Sequence, residues 1–458
     1  MESIWKYNVK LPHKNALPKN MEVNTLVIGA GIAGLLTAYF LQKKGVEVIV
    51  VEAKTIASGQ TGNTTAKITS QHDLCYEKMI RKAGRKRAKA YAMANEEAIF
   101  LYKQIVEEEN IDCDFCEKPA YLYTTSENNI EILQKETEAA KSLGIKAKYV
   151  EGKNLDELPF EVCGAVCFEN QAQFHPLKFV RHLAEKLVVY ENTKVLSVSG
   201  HKIRTNKGTI IAENIVFATH YPITNVPGFY FLRQHQERSY VVALQNNKEL
   251  NGMYYSMDED GLSLRSEKDI LLLGGGAHRT GKCLCHNGEK GQSKYGYEFL
   301  RNIKERYFSE KKEITAWSAQ DCMPHDEMAF IGKYSIFRPY WYVATGFKKW
   351  GMTQAMVSAM ILSSKICEER SIYEKTFSPQ RFLLWAGIKN FLIDLWESVK
   401  GLVTGAFAKK DRRCAHMGCK LHWNAEEESF DCACHGSRFS KRGEIIDNPA
   451  QMDLNGKK

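Results

Sequence analysis

The sequence has no long hydrophobic run. Its N-terminal segment, MESIWKYNVKLPHKN, lacks the continuous apolar region of a secretory signal. No stretch of about 18 uninterrupted apolar residues follows that could span a membrane. We therefore expect a cytoplasmic protein with no transmembrane segment.

Over most of its length, the sequence also lacks long segments in which all charges have the same sign. Lys and Arg are interspersed with Asp and Glu, although the net charge is +9 and the pI is near 8.7. No nucleic-acid recognition motif accompanies the positive charge, so we expect no nucleic-acid partner. A mildly basic face would suit an acidic redox partner or an acidic substrate.

The thirteen cysteines do not form an evenly spaced disulfide framework. Most are scattered through the body of the chain, where in a reducing compartment such residues are usually small buried hydrophobes. Cys113-x-x-Cys116 and Cys283-x-Cys285 each lack a second ligand pair at metal spacing, and we interpret both as structural. The last four cysteines form a terminal cluster.

Length and composition indicate a folded protein of more than one domain. The chain has 458 residues, with 44% hydrophobic and 26% charged residues, close to the average of globular proteins. At about 150 residues per domain, this length suggests roughly three units.

A glycine-rich turn lies between two predicted strands near the N-terminus. Residues 25–28 and 46–51 have strand patterns, and Gly29, Gly31 and Gly34 supply G-x-G-x-x-G, with Ala33 inside the motif, before a helical pattern. The glycines let a pyrophosphate approach the backbone, and the helix N-terminus offers it unpaired N–H groups. Glu52 ends the second strand, where it can accept hydrogen bonds from ribose hydroxyls. The segment predicts a βαβ dinucleotide site.

Two later segments complete a pattern that resembles flavoproteins of the D-amino-acid oxidase and glycine oxidase superfamily. Residues 213–222 are a predicted strand, and residues 338–366 are a strand, a glycine turn and a helix. The resemblance covers about residues 23–370 and implies FAD as the cofactor, with the loop 57–76 beside the flavin ring. The further cofactor-binding residues that it implies are Ser58, Gly59, Thr61, Gly62, Asn63, Thr64, Thr65, Ala218, Thr219, Gly346, Gly351, Met352 and Thr353.

The same resemblance implies the architecture, which is α/β plus α+β. A Rossmann-like FAD-binding domain is expected in three parts, 1–76, 176–225 and 326–380. A second domain, in which an antiparallel sheet roofs the flavin, is expected from a mixed, partly helical segment at 77–175 and from 226–325.

The sequence shows no Ser-His-Asp or Cys-His catalytic order, and flavin chemistry does not require one. Lys67, His72, Lys348 and Trp350 are our catalytic candidates. Lys67 or His72 could place a cation near the flavin, where it would stabilise the reduced, anionic ring. Lys348 could hold a substrate carboxylate, and Trp350 could form part of the aromatic roof. Further candidates for substrate contact are aromatic or cationic residues of the body: His175, Tyr240, Tyr254, Arg265 and Trp317. For each of these residues, packing or surface exposure is the competing interpretation.

The terminal cluster contains two boxes of metal-ligand type. Cys414-x-His416 and Cys432-x-x-His435 are separated by residues 417–431, a set that would also suit a Cys₂His₂ zinc site. Each box carries an additional cysteine, Cys419 and Cys434, and the second continues as His-Gly-Ser.

With these additions, the terminal cluster looks like a Rieske protein. The resemblance implies a 2Fe-2S cluster in which Cys414 and Cys432 bind one iron and His416 and His435 the other. It also implies that Cys419 and Cys434 can form a bridge between the loops.

The residues around the two boxes match the Rieske pattern in one respect and depart from it in others. Ser437 matches the family position that donates a hydrogen bond to a bridging sulfur, whereas Phe439 replaces a tyrosine of the high-potential members, which predicts a lower potential. Only an amphipathic helix at 381–411 precedes the small all-β module at 412–458. We expect this abbreviated module to rest on the flavoprotein body; peripheral contact of the helix with a membrane is the alternative.

These features predict an FAD-dependent oxidoreductase, a dehydrogenase of an amine or amino acid whose CH–NH or CH–NH₂ bond is oxidised. Its electrons would pass from flavin through the tethered cluster to an unidentified acceptor. One alternative is an electron-transfer or redox-sensing protein without a small substrate of its own. A methyl- or tRNA-modifying flavoprotein is another, and it would require a basic groove.

Overall fold

The computed structural model describes residues 2–259, 261–282, 295–381, 383–454 and 456. Cys283 and Cys285, interpreted above as structural, lie outside the described residues. Within these ranges, no helix combines the length and apolar character needed to cross a membrane.

Nine helices are found in the described ranges. They are α1 (Ile32–Lys43), α2 (Tyr76–Ala83), α3 (Arg85–Glu108), α4 (Ile130–Ser142), α5 (Pro176–Lys186), α6 (Gly296–Tyr307), α7 (Gly351–Ile366), α8 (Glu374–Phe377) and α9 (Leu384–Ala406).

The strands of the described residues belong to four sheets. Up to residue 217 they are β1 (Met21–Ile28), β2 (Val48–Val51), β3 (Lys67–Ile68), β4 (Cys116–Glu117), β5 (Ala120–Thr124), β6 (Ala147–Glu151), β7 (Gly164–Phe168), β8 (Ala172–Gln173), β9 (Val189–Tyr190), β10 (Val195–Ser199), β11 (Lys202–Thr205) and β12 (Thr209–Phe217). The later strands are β13 (Gln234–Gln245), β14 (Met253–Ser256), β15 (Ser263–Glu267), β16 (Ile270–Arg279), β17 (Glu313–Pro324), β18 (Phe330–Ser335), β19 (Arg338–Thr345), β20 (Leu421–Asn424), β21 (Ser429–Cys432), β22 (Arg438–Ser440) and β23 (Ile445–Asp447).

The first sheet contains the predicted βαβ unit. Its order is β10-β11-β12-β1-β2-β9, and β19 pairs with the end of β12 and with β18. β1 is parallel to β2 and β12, and β12 is parallel to β19. The last four residues of β1 are all buried, as a parallel strand covered on both faces requires. Helices α1 and α7 pack against each other and contribute to one hydrophobic core.

The second sheet has the order β17-β13-β16-β15-β14-β5-β7-β6. It is antiparallel except for the β5–β14 pair, which is parallel. The long strand β13 pairs along its length with both β16 and β17. A short three-stranded sheet, β3-β8-β4, includes Lys67. The expected antiparallel roof sheet is therefore present.

The C-terminal module is a four-stranded antiparallel sheet, β20-β21-β22-β23. Its hydrophobic core is small and consists mainly of the four clustered cysteines with Leu421, Phe439 and Ala450. Such a core is too small to stabilise an independent domain by burial alone. The module instead packs on the body and on α9, as expected from its shortness.

Helix α9 is amphipathic, but its orientation is the reverse of what a body-packed helix usually shows. Leu395, Val399 and Leu402, which the sequence places on one apolar face, are all exposed. The side that contacts the protein contains glycines and a carboxylate. A Cβ on Gly401 would approach the sulfur of Cys434 to 2.3 Å, and one on Gly405 would approach the carbonyl oxygen of Gly418 to 2.1 Å. Small residues thus permit this close contact.

Asp394 fixes the inward side of α9 by a buried ionic network. Its carboxylate pairs with Arg279 and with His325, and it lies 3.0 Å from Nδ1 of His235. Arg279 in turn donates to the carbonyl oxygens of Ala433 and Cys434 at 2.7 and 3.0 Å. Burial alone would raise the pKa of Asp394, but its hydrogen bonds and the nearby Arg279 hold that pKa well below its usual range.

We expect Asp394→Asn to lower the free energy of unfolding by about 3 kcal/mol at neutral pH, because the buried Arg279 loses its charged partner. Since the pKa of Asp394 is lowered on folding, the wild-type advantage exists above the unfolded value of about 3.9 and is lost as the pH falls through the folded value. Thermal unfolding at neutral and acidic pH measures both effects. Asp411→Asn, at an exposed position, is the control; equal losses in the two variants would contradict the prediction.

Candidate flavin cavity and iron–sulfur centre

A cavity of about 1130 Å³ is lined by both large sheets and by the C-terminal module. It exceeds the roughly 300–1,000 Å³ of sites for drug-sized ligands, which suits a dinucleotide. The glycine turn after β1 and the loop 57–65 form one part of the wall. Strands β13, β16 and β17 of the second sheet form another, and residues around β23 of the C-terminal module complete it.

The glycine turn has the shape that a pyrophosphate requires. Gly29 has φ +108°, and a Cβ there would lie 2.5 Å from the carbonyl oxygen of Ala218, so only glycine fits. Gly31 is the N-cap of α1, and the amide of Ile32 donates to Oγ1 of Thr61 at 3.0 Å. The N-terminus of a buried helix thus faces the cavity, where it favours an anion.

Glu52 lines the cavity at the end of β2. Its carboxylate accepts hydrogen bonds from the amides of Ala30 and Lys54, both at 2.9 Å. Burial raises the pKa of Glu52, and the backbone donors oppose that effect. The side chain therefore braces the glycine turn and keeps acceptor capacity for a ribose hydroxyl, since each carboxylate oxygen has a second lone pair.

Most of the predicted cofactor-binding residues meet at this cavity. Those that line it are Gly29, Gly31, Ala33, Glu52, Ser58, Gly59, Thr61, Asn63, Thr64, Thr65, Ala218, Thr219, Gly351 and Met352. Gly34, Gly62, Gly346 and Thr353 are not among the lining residues. Thr353 lies behind the wall, where its hydroxyl donates to the carbonyl oxygen of Thr69 at 3.1 Å. The chemistry of the lining, glycines with backbone and hydroxyl donors, fits FAD.

The catalytic candidates divide between the cavity and the layer behind it. Lys67, Lys348 and Trp350 line the cavity. His72 does not: its ring stacks behind Trp350 with a centroid separation of 4.8 Å. Burial lowers the pKa of His72 to about 3, so its ring is neutral. His72 therefore supports Trp350 from behind.

Lys67 is a buried amine that faces the cavity. Its Nζ donates to the carbonyl oxygen of Tyr254 at 2.8 Å and to Oγ of Ser263 at 2.6 Å. Burial, with a smaller contribution from Arg265, lowers the pKa of Lys67 to about 7. The amine is thus poised between its charged and neutral forms near neutral pH, and an anionic group in the cavity would favour the charged form.

Among the substrate candidates, only Tyr240 and Trp317 join Lys348 and Trp350 at the cavity. Arg265 is fully buried and donates to the carbonyl oxygens of Thr65 and Ala66 at 2.8 and 3.0 Å, so it supports the flavin loop. Tyr254 donates its hydroxyl to Glu157, and Nδ1 of His175 accepts from an amide of α5. The contacts of Tyr254 and His175 are therefore structural.

Several cavity residues were not predicted from the sequence. Lys6, Asp321 and Lys349 line the wall, as do Arg238 and, from the C-terminal module, Asn448. Arg238 pairs with Glu427, a residue 189 positions away in the chain, so no local pattern could reveal it. Burial raises the pKa of Asp321 to about 7 although Lys349 opposes the shift.

The two histidines of the terminal boxes have ring nitrogens that are available to bind a metal. Nδ1 of His416 and both ring nitrogens of His435 are buried without a hydrogen-bond partner among the described residues. Nε2 of His416 lies 3.0 Å from Oδ1 of Asn225, which fixes the ring with Nδ1 free. Burial lowers the pKa of His416 to about 4 and of His435 to about 3. Neutral imidazoles with such unpaired ring nitrogens suit a metal centre.

The four cysteines of the boxes lie together and are all free thiols in the structure. The sulfurs of Cys419, Cys432 and Cys434 are within 4.8 Å of one another, and the sulfur of Cys414 accepts a hydrogen bond from the amide of His416 at 3.5 Å. Cys432 and burial raise the pKa of the Cys414 thiol, the hydroxyl of Ser437 acts to lower it, and Phe439 is fully buried beside them. Two thiolates from this group and two imidazoles fit a Rieske-type 2Fe-2S cluster.

Direct hydrogen bonds join the cluster loops to the roof sheet. Nε2 of Gln236, on β13, donates to the carbonyl oxygens of His435 and Asn448 at 2.8 and 2.9 Å. Gln320, on β17, donates to the carbonyl oxygen of Gly436 at 2.8 Å. Because both strands also line the cavity, one sheet contacts both candidate cofactor sites.

Comparison with known proteins agrees with both sites. The family model described as FAD dependent oxidoreductase (DAO) matches residues 24–365, and that of the Rieske [2Fe-2S] domain matches residues 366–456. The Rieske 2Fe-2S iron-sulfur protein YhfW of Bacillus subtilis (strain 168) is 35% identical, over 99% of this chain and 98% of its own length.

Solved structures share the fold of the body. L-proline dehydrogenase from P. horikoshii superposes with a TM-score of 0.63 at 20% identity, over 80% of this chain and 98% of that one. Glycine oxidase from Geobacillus kaustophilus gives 0.62 at 17% identity, over 79% and 99%. The chain therefore belongs to the DAO family of FAD dependent oxidoreductases and carries a Rieske [2Fe-2S] domain at its C-terminal end.

Proposed function

We propose that this protein is a dehydrogenase of an amine or amino acid that passes electrons from FAD through its own Rieske cluster to a separate carrier. The proposal rests on one observation: residues of the C-terminal module form part of the wall of the flavin cavity. The C-terminal module closes the cavity in which the flavin site lies, and Gln236 touches the cluster loop from the sheet that roofs this cavity. An oxidase, whose reduced flavin reacts directly with oxygen, would need no such module.

When bound, FAD would supply hydride acceptance and the 2Fe-2S cluster one-electron transfer. The residues that would hold the cluster are Cys414 and Cys432 on one iron and His416 and His435 on the other. Cys419 and Cys434 remain the proposed pair for a bridge between the loops. Their burial under Gly401 would shield such a bridge from solvent.

The chain itself provides a substrate end to the cavity. Trp350 and Tyr255 contact each other there in an edge-to-face arrangement, with a centroid distance of 5.6 Å. Lys349 brings positive charge that suits a carboxylate, and burial of the site strengthens this attraction. Lys348 also lines the cavity, with its Nζ 3.6 Å from the carboxylate of Glu327. The protein neighbours of similar fold include a dehydrogenase and an oxidase of amino acids, which agrees with a substrate of this class.

Lys67 is the residue that we propose to stabilise negative charge on the reduced cofactor. It is buried, faces the cavity and is held by neutral acceptors, the carbonyl oxygen of Tyr254 and the hydroxyl of Ser263. An anion in the cavity would favour the charged form of Lys67, and its neutral partners leave that charge available to the anion.

Anaerobic mixing of the purified protein with a panel of amines and amino acids tests the function. We expect at least one compound to bleach the flavin absorbance and then to produce the electron paramagnetic resonance signal of a reduced Rieske cluster. If no small molecule bleaches the flavin but a reduced carrier protein does, the dehydrogenase proposal is wrong and an electron-transfer or sensing role replaces it.

Loss of the cluster should leave reduction of the flavin by the substrate intact and prevent electron transfer to the cluster. In His435→Ala we expect the active compound still to bleach the flavin, while the cluster signal disappears because one iron loses a ligand. His422→Ala, at an exposed histidine of the same module, is the control and should keep the signal. A Rieske spectrum that survives in His435→Ala would contradict the ligand assignment.

Ser437→Ala should lower the midpoint potential of the cluster. The variant removes a hydroxyl that is hydrogen-bonded to Cys414, and a hydrogen bond of about 1 kcal/mol corresponds to a shift on the order of 50 mV for one electron. A redox titration followed by electron paramagnetic resonance measures the shift. Ser440→Ala, which leaves Ser437 in place, is the control; equal potentials in both variants would argue against the role of Ser437.

A further inference from the structure

Helix α9 carries a continuous apolar stripe on its solvent side. Its exposed members recur at helical spacing, with Trp396 66% and Phe407, just beyond the helix end, 88% exposed. The others used here are Leu392, Leu395, Val399 and Val403. A contiguous group of exposed apolar side chains on a protein surface is typical of an interaction site.

The opposite side of α9 cannot exchange places with this stripe. Gly401 and Gly405 approach the cluster module so closely that larger residues would clash, and Asp394 is bound by Arg279. Rotation of the helix would bury apolar side chains where only glycine fits and would expose a buried ion pair. The apolar stripe is therefore directed outward by the packing of the inward side.

Positive charge accompanies the stripe and outweighs the exposed Asp411 of the segment that follows the helix. Lys389 and Lys400 are exposed on the helix, and the following segment adds exposed Lys409 and Lys410. The two acidic residues of α9 lie inward: Asp394 is buried, and Glu397 is paired with Lys282 at 3.1 Å. Arg412 and Arg413 continue the basic character.

We propose that this outward face of α9 is a docking surface for an anionic lipid bilayer, on which the helix lies parallel to the membrane plane. Apolar residues with tryptophan, flanked by lysines, are the composition that enters the headgroup boundary of a bilayer. A second copy of this chain is a poorer occupant, because pairing the same face with itself would bring the flanking lysines of two protomers together.

Docking in this way brings the cluster site near the lipid surface. Helix α9 packs against the turn Tyr230–Leu232. The ring of Phe231 in that turn lies 6.3 Å from His416 and 5.8 Å from His435, measured between centroids. Leu232 in the same turn is exposed. Helix α9 thus contacts the turn that lies beside the histidine end of the cluster site.

Vesicle flotation of the full-length holoprotein tests the proposal. We expect binding to vesicles of phosphatidylcholine and phosphatidylglycerol in equal amounts, weaker binding to phosphatidylcholine alone, and weakening by salt. Trp396→Glu should raise the lipid concentration at half-maximal binding at least ~10-fold, because it places a charge in the apolar stripe. Phe337→Glu, at a 73% exposed position between β18 and β19, is the matched control and should bind as the wild type does.

A second variant tests the role of the lysines, and a measurement of the oligomeric state tests whether a second copy of the chain occupies the surface. Lys409→Glu combined with Lys410→Glu lies outside the helix, and should abolish the preference for anionic vesicles. The flavin and cluster absorbances of each variant verify folding. Absence of vesicle binding, or equal binding by wild type and Trp396→Glu, would overturn the proposal. So would a dimer that Trp396→Glu converts to a monomer without any vesicle binding, since that outcome identifies a second copy as the occupant. The assay uses no substrate or acceptor, so its result is independent of the proposed activity.

Discussion

The contact between Arg238 of β13 and Glu427 of the C-terminal module is the interaction on which the arrangement of the two cofactor sites depends. Both side chains are almost fully buried, and Arg438 pairs with the same carboxylate at 3.2 Å. Burial would raise the pKa of Glu427, but the two guanidinium groups lower it to about 2. Removing one partner of such a group leaves a buried, unpaired charge, which is strongly destabilising. These ion pairs therefore hold the module on the roof sheet.

This constraint explains why so small a module can be stable. Its own core consists of little more than the cysteine cluster and three apolar side chains, whereas its polar surface is completed by Gln236, Gln320 and Arg279 from the body. Helix α9 covers the other side through glycines. Coordination of a cluster would add further stability, because metal ligands are fixed only in the folded chain. The module is thus an extension of the flavoprotein in physical terms.

Local motifs can be recognised in the sequence because their chemistry depends on near neighbours in the chain. The glycine turn, Glu52 and the loop 57–65 meet at one cavity, and the cysteines of the two Cys-His boxes lie together, while their roles in binding the cofactors stay predictions. His72, His175 and Arg265 could not be assigned in the same way. Each is a polar residue near the flavin loop, and only burial and partners distinguish a wall residue from its support. The sequence left the orientation of α9 open for a related reason: periodicity identifies an apolar face but does not say what that face contacts.

The sequence by itself determined the βαβ fingerprint, the identity of both cofactors and the shortness of the C-terminal module, since each depends on residues close together along the chain. Only the tertiary structure decided that the module closes the flavin cavity, that Arg238 meets Glu427, and that glycines turn the apolar side of α9 toward solvent. These outcomes depend on contacts between residues far apart in sequence, such as the 189 positions between Arg238 and Glu427. No local pattern encodes such contacts, because they arise from the packing of whole elements.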